Sequence, residues 1–379
     1  MIKTTKMKFL SLMIVAVLLL SLTACSSDGK TTVNSDGTKT QQREKNVKVT
    51  ETAAKAAQTE SYETEDFSLM IPKGWKVTSG GINIYHSIRV YDPNEPLNQM
   101  FILLKADCLL HSQEGKEAWQ YNYSMGNTQA ALFANAAVLQ NPSTEGFFQM
   151  FSQYTDFVSQ VEPSYSGYTF PRFDSFTVTD RFVSTSSLKS YALGDELLRA
   201  TFTDNGKQGE GMFAASVVDF GQVAIAGGPV VDYQIQQADG GYYMAYNIMA
   251  VTAAKDTFIE WEGLLTECMK TLKYSDSFVS ATNQASNEKV TQAMQISQNF
   301  NQVMDGIMSS WESRNKSQDI ISQKQSDSTL GYERVYDTET NEIYRATNGW
   351  SDIYDGERYK PVTDDNMYTQ PISGYIEKE

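Results

Sequence analysis

The run ELLRATFTDNGKQGEGMFAASVVDF, residues 196–220, carries the fold class of this chain. Two β-favouring stretches, 196–203 and 208–220, flank Asp204-Asn205-Gly206-Lys207. Asn-Gly is the strongest short hairpin signal, because both residues tolerate the positive φ of a two-residue turn. A hairpin makes its two arms antiparallel, so the sheet around this run is expected to be antiparallel.

Upstream, Phe67-Ser68-Leu69-Met70-Ile71-Pro72-Lys73-Gly74-Trp75-Lys76-Val77 alternates apolar residues, turns at Pro-Lys-Gly and returns Trp75 to the core. Ile82, Ile84, His86, Ile88 and Val90 alternate with polar partners and predict a second strand. Residues 99–110 predict a third, in which the even positions from 102 onward are apolar while Lys105 and Asp107 fall on odd ones, placing Cys108 on a buried face. Residues 129–140 are Ala-rich and read as helix. Phe147, Phe148, Met150, Phe151, Tyr154, Phe157, Val158 and Val161 predict an amphipathic helix begun near Asn141-Pro142-Ser143. Strands resume near residue 175 and again at 242–252. A helix over 257–272 closes the unit, with the stripe Phe258, Trp261, Leu265, Cys268 and Leu272 and with Thr257 and Glu260 at capping-box spacing. Strands, inserted helices, returning strands and a closing helix define an α+β domain over residues 62–280, an antiparallel sheet with helices packed on it.

Residues 281–379 read as a second unit. Phe300, Val303, Met304, Ile307, Met308 and Trp311 form an apolar stripe on a long Gln/Asn/Ser-rich helix over 288–325. The stripe must pack on its own domain, or else in a coiled coil or a partner's groove. A Tyr-rich β module follows from Gly331, with hairpin arms 332–337 and 342–347 around Thr338-Glu339-Thr340-Asn341. Asn341 is the residue able to adopt the left-handed conformation there.

At the N-terminus, Lys3, Lys6 and Lys8 precede an apolar run over 9–22, shorter than the ~20 residues needed to span a bilayer as a helix. Leu22-Thr23-Ala24-Cys25 then resembles the lipobox of bacterial lipoproteins. The resemblance implies a signal peptide over 1–24, acylation of Cys25, and a membrane anchor on the extracytoplasmic face. Residues 25–61, without an aromatic residue before Tyr62's neighbourhood, read as lipidated cysteine plus flexible tether. Loss of three lysines with the signal peptide takes the formal charge from -15 to -18. So acidic a body argues against nucleic acid and against direct adhesion to anionic headgroups.

The pattern F-S-L-x-I-P-x-G-W-x-V at 67–77, with a closing helix running into Leu272-Lys273-Tyr274, resembles the PsbP/DcrB-like fold, a superfamily that includes many bacterial lipoproteins. That resemblance implies a binding or accessory module, with an insertion around 112–170 longer than the compact fold needs. The segment Gly331-Tyr332-Glu333-Arg334-Val335-Tyr336-Asp337 resembles C-terminal modules of uncharacterised Gram-positive lipoproteins and brings no activity with it.

Catalytic motifs are sparse. There is no Gly-x-Ser-x-Gly elbow, phosphate loop or dinucleotide fingerprint. Ser186-Ser187-Leu188-Lys189 and Ser313-Arg314-Asn315-Lys316 match Ser-x-x-Lys without its companion motifs. His86 reads as a hydrogen-bonded core residue, and His111 ends a strand beside no nucleophile motif. The loop 337–342 spaces oxygen donors as a calcium loop does but lacks the glycine and the late bidentate glutamate. Asp352, Asp355, Asp364 and Asp365 bind a cation only if their loops converge. Cys108 and Cys268 are either two buried thiols or one disulfide. No cofactor or metal is expected. The expected role is a non-catalytic binding or scaffold lipoprotein of the cell envelope, with an envelope protein or glycan as partner and Trp350, Tyr354 and Tyr359 as an exposed contact patch. A small-molecule-binding lipoprotein is the alternative, and an envelope enzyme the least supported reading.

Overall fold

The 204–207 hairpin closes through a pairing of Asp204 with Lys207, and Asn205 (φ 50°) and Gly206 (φ 82°) both take the left-handed conformation. Its arms, Ala192–Asp204 and Lys207–Gly221, lie in a seven-stranded sheet. A computed structural model describes residues 47–183, 188–229, 234, 236–285, 309 and 316–378. The strand order is Lys76–Gly80, Ser87–Tyr91, Gln99–Leu110, Tyr242–Ala254, Lys207–Gly221, Ala192–Asp204, Asp174–Val183, and every neighbouring pair is antiparallel. The chain is therefore α+β.

Both faces of this sheet are buried. Met100, Ile102 and Leu104 face one core, shared with the helix Phe258–Lys270 and with a three-stranded sheet of Thr59–Glu63, Phe67–Pro72 and Lys273–Tyr274. Phe101 and Leu103 face a second core, where the helix Thr144–Val161 packs with Phe147, Phe148 and Phe151. Beyond Lys105 the alternation breaks at a bulge opposite Tyr243 and Ala245, and Cys108 takes a φ of 58°. Such bulges re-aim side chains at a strand end. Cys108 and Cys268 are both buried free thiols in different clusters.

Several local expectations change. Asn83–Tyr85 is a short 3-10 turn and Ile82 is exposed, so the second strand is only Ser87–Tyr91. The 129–140 helix ends at Asn135; Ala136 is extended and Val138 makes a lone parallel bridge to Leu110. A helix at Gln113–Ser124 begins where Ser112 accepts a hydrogen bond from the Gly115 N–H at 3.0 Å. Thr257 does not cap the closing helix with its side chain; its hydroxyl donates to the Ala254 carbonyl at 3.3 Å. Of the long 288–325 helix only residues 309 and 316–325 are described, the latter within a helix Lys316–Leu330, and its apolar stripe lies outside the described residues.

The boundary between tether and body also moves. Val47–Glu51, assigned above to a flexible tether, is an edge strand paired with Ile372–Lys378, and Thr59–Glu63 pairs with Phe67–Pro72. The C-terminal sheet runs Val47–Glu51, Ile372–Lys378, Ile343–Thr347, Tyr332–Asp337, Tyr359–Pro361, with one parallel pair. It docks on the closing helix through Ile259, Ile343 and Ile372, so the body from residue 47 onward is one compact unit rather than two. Among the described residues, no helix is long and apolar enough to cross a membrane.

Candidate functional site

Residues between Gln113 and Phe157 build a cleft. The extended segment after Asn135 is held by the sheet end: the Leu110 N–H donates to the Ala137 carbonyl at 2.8 Å, and the Leu139 N–H donates to the Leu110 carbonyl at 2.9 Å. Opposite it stands the helix Thr144–Val161, capped by Ser143, which accepts from the Gly146 N–H at 3.0 Å. Gly146 is required there, because a Cβ would stand 2.0 Å from the Asn141 carbonyl oxygen. The helix Gln113–Ser124 closes the third side with Gln113 and Lys116.

The cleft encloses about 480 Å³, inside the roughly 300–1,000 Å³ usual for small-ligand sites. Its lining is largely polar; Ala137, Leu139 and Met150 are buried within it, and Val138 and Phe157 are half-buried. Its rim carries the amides of Gln113, Asn135, Gln140, Asn141, Gln149 and Gln153. Gln113 donates to Glu117 at 3.2 Å, Gln149 to Glu145 at 3.2 Å, and Asn135 to the Ala131 carbonyl at 2.8 Å. The side chains of Gln140, Asn141 and Gln153 have no hydrogen-bond partner among the described residues. Lys116 is half-buried, is the cleft's one charged side chain, and has no ion-pair partner among the described residues.

No protein-family model matches this chain, and no curated protein does. The cleft's own chemistry therefore has to carry the functional reading. Each free amide offers one donor pair and one acceptor in a plane, a set that matches vicinal hydroxyls, which both give and take hydrogen bonds. The lining holds no carboxylate, histidine or thiol to act as a paired acid and base. Sequence reasoning passed over these residues. The only trace was a four-residue stride of Gln149, Gln153 and Phe157, which places them along one ridge of a helix.

The residues singled out from sequence lie elsewhere. Cys25 is outside the described residues, as are Ser186, Ser187 and Ser313. Trp350 is 3% exposed and Tyr359 9%, and Tyr354 stacks on Trp350 with centroids 4.6 Å apart. These rings are the core of the C-terminal sheet with Val335 and Ile376, so they form no exposed patch. A four-residue helix, Trp350–Ile353, turns the indole inward. Among the described residues no group of three metal-ligating side chains could hold an ion. Asp365 pairs with Lys324 at 2.5 Å, Asp364 caps the Asn366 N–H at 3.0 Å, and the Asp337 carboxylate accepts from Arg358 at 2.7 Å.

His111 sits between two carboxylates, with Nδ1 2.9 Å from Asp239 and Nε2 3.0 Å from Asp219. The ring nitrogens face opposite ways, so the three groups cannot converge on one metal. Burial pushes the Asp239 carboxyl up, but His111 and the N–H groups of Gly241 and Val223 hold it below the usual range. The arrangement ties three strand ends together.

His86 is buried among Phe67, Tyr274 and Phe278, with Nδ1 3.3 Å from the Tyr274 hydroxyl. Burial lowers its pKa from 6.5 to about 4. The folded protein therefore refuses a proton that the unfolded chain accepts below about pH 6.5. Stability is full above that pH and falls as the pH drops toward 4, by about 3 kcal/mol from this group. Urea melts between pH 7 and 4.5 check this, because His86→Phe should flatten that slope, and an unchanged slope contradicts it.

Proposed function

We propose that this chain is an extracytoplasmic lipoprotein, anchored through acylated Cys25, whose body binds a hydroxyl-rich glycan in the amide-lined cleft without transforming it. The observation that carries the reading is a largely polar cleft of about 480 Å³ lined by amides, three of them without a hydrogen-bond partner among the described residues, and by a single charged side chain. Hydroxyl pairs would bridge the rim amides, while the C–H face of a sugar ring would lie on Phe157 and Val138. The lipobox-like Leu22-Thr23-Ala24-Cys25 supports the anchor, and the body's acidity supports its solubility close to an anionic membrane. The finer fold assignment, a PsbP/DcrB-like domain, is also proposed. It is supported by the Phe67–Pro72 strand turning at Pro-Lys-Gly into Trp75 and by the closing helix leading into Lys273–Tyr274.

Two measurements test this. Titration calorimetry with envelope polysaccharide fragments should give binding that the double variant Gln140→Ala/Gln153→Ala weakens about thirtyfold, since two lost hydrogen bonds at about 1 kcal/mol each remove about 2 kcal/mol. Unweakened binding in a folded variant removes the cleft from the account. Labelling growing cells with radioactive palmitate should mark the protein, and Cys25→Ser should abolish the label and release the chain from membranes. Label persisting in that variant eliminates the anchor.

A further inference from the structure

We infer that the ligand of this cleft is an acidic glycan whose carboxylate or phosphate is read by Lys116; this rests on the glycan reading above. Across the whole chain acidic residues outnumber basic ones by 46 to 31, and most described cations find a carboxylate. Arg172, Arg181, Arg199, Arg334, Arg345 and Arg358 all do. Lys116 does not, although it is half-buried and lines the cleft. An ammonium in a lining that holds no carboxylate attracts an arriving anion directly. A neutral sugar gains no such attraction.

The surroundings favour the same sign. The lining contains no carboxylate. Of the acids just behind the rim, Glu145 is paired with Arg181, and Glu117 accepts the Gln113 amide. The remaining negative charge of the body is screened over about 8–10 Å at physiological salt. The first turns of Gln113–Ser124 and Thr144–Val161 also border the cleft, but each carries its own acid, Glu114 and Glu145, so Lys116 is the positive charge of the lining itself. The geometry thus combines one fixed cation with neutral forks around it, which suits a sugar bearing one acidic group per one or two rings.

The test uses the purified full chain and three probes: a neutral gluco-oligosaccharide, the same oligomer oxidised to its uronate, and a poly(glycerol phosphate). At least one acidic probe should bind tenfold or more tighter than the neutral one, with the preference shrinking as salt rises. Which acidic probe does so identifies the source of the anion. Lys116→Met should bring the acidic probe down to the neutral level, and Lys116→Arg should retain most of the preference. Equal binding of acidic and neutral probes overturns the inference and leaves the glycan reading standing. An acidic preference that survives in Lys116→Met also overturns it. Failure of all three probes to bind overturns both.

Discussion

Asp327→Ala is expected to cost about 3–5 kcal/mol and to unfold the C-terminal sheet before the rest of the body. Asp327 is 3% exposed and receives two guanidiniums, with Arg334 Nε at 2.5 Å and Arg345 Nε at 3.0 Å. Their side chains are themselves buried, at 0% and 1%. Arg334 is further held by the Tyr368 carbonyl at 2.9 Å and by Gln323 at 2.8 Å. Burial already pushes the Arg334 guanidinium below its ordinary pKa, so its charge persists there because of Asp327. After truncation, Arg345 keeps only Glu260, at 3.8 Å, and Arg334 keeps no carboxylate partner among the described residues. The penalty is that of an uncompensated buried charge, far above the ~0–1 kcal/mol of a surface pair. Trp350, buried in this sheet, reports its unfolding by fluorescence in a urea titration. Asp327→Asn keeps acceptors without the charge and should fall between wild type and alanine. A loss under 1 kcal/mol for Asp327→Ala would show that the pair is hydrated in solution.

Phe148→Ala should destabilise the body by about 3–5 kcal/mol and loosen the cleft along with it. Phe148 is fully buried where the helix Thr144–Val161 meets the sheet. Its ring touches Phe147, Phe173 and Phe213 edge-on at 5.4, 5.9 and 5.0 Å and stacks on Phe176 at 5.4 Å. So many rigid neighbours cannot collapse into the space left, and the residual cavity adds to the lost transfer energy. The same helix carries Gln149, Met150, Gln153 and Phe157 into the cleft, so glycan affinity should fall with stability although Phe148 itself lines no part of it. Ile321→Ala, at a 57% exposed site, serves as the control and should stay within about 0.5 kcal/mol of wild type. Thermal melts of the two variants decide the matter; equal melting temperatures would contradict the packing described here.

What the sequence determined by itself was short in range. The Asn205-Gly206 turn, the Asn341 turn at φ 60° and the Ser143 start of a helix each follow from backbone angles and hydrogen bonds within a few residues. The antiparallel α+β class followed from those turns. Tertiary structure decided where the pieces went. Glu260 stands at capping-box spacing yet serves Arg345 and the Tyr375 hydroxyl, because burial at the docked sheet outweighs a cap worth about 1 kcal/mol. Trp350 and Tyr359 look like contact residues in a polar, Tyr-rich stretch, but a five-stranded sheet needs a core and they are its largest apolar surfaces. Residues 47–51 have a tether's composition and become a strand only because Ile372–Lys378 offers an unpaired edge, beside which Thr52 donates to the Ile372 carbonyl 320 residues further along the chain. The cleft is the extreme case: three segments meet there because the aromatic core packs them so, and hydrophobic burial is non-directional, leaving no local mark on the amides it brings together.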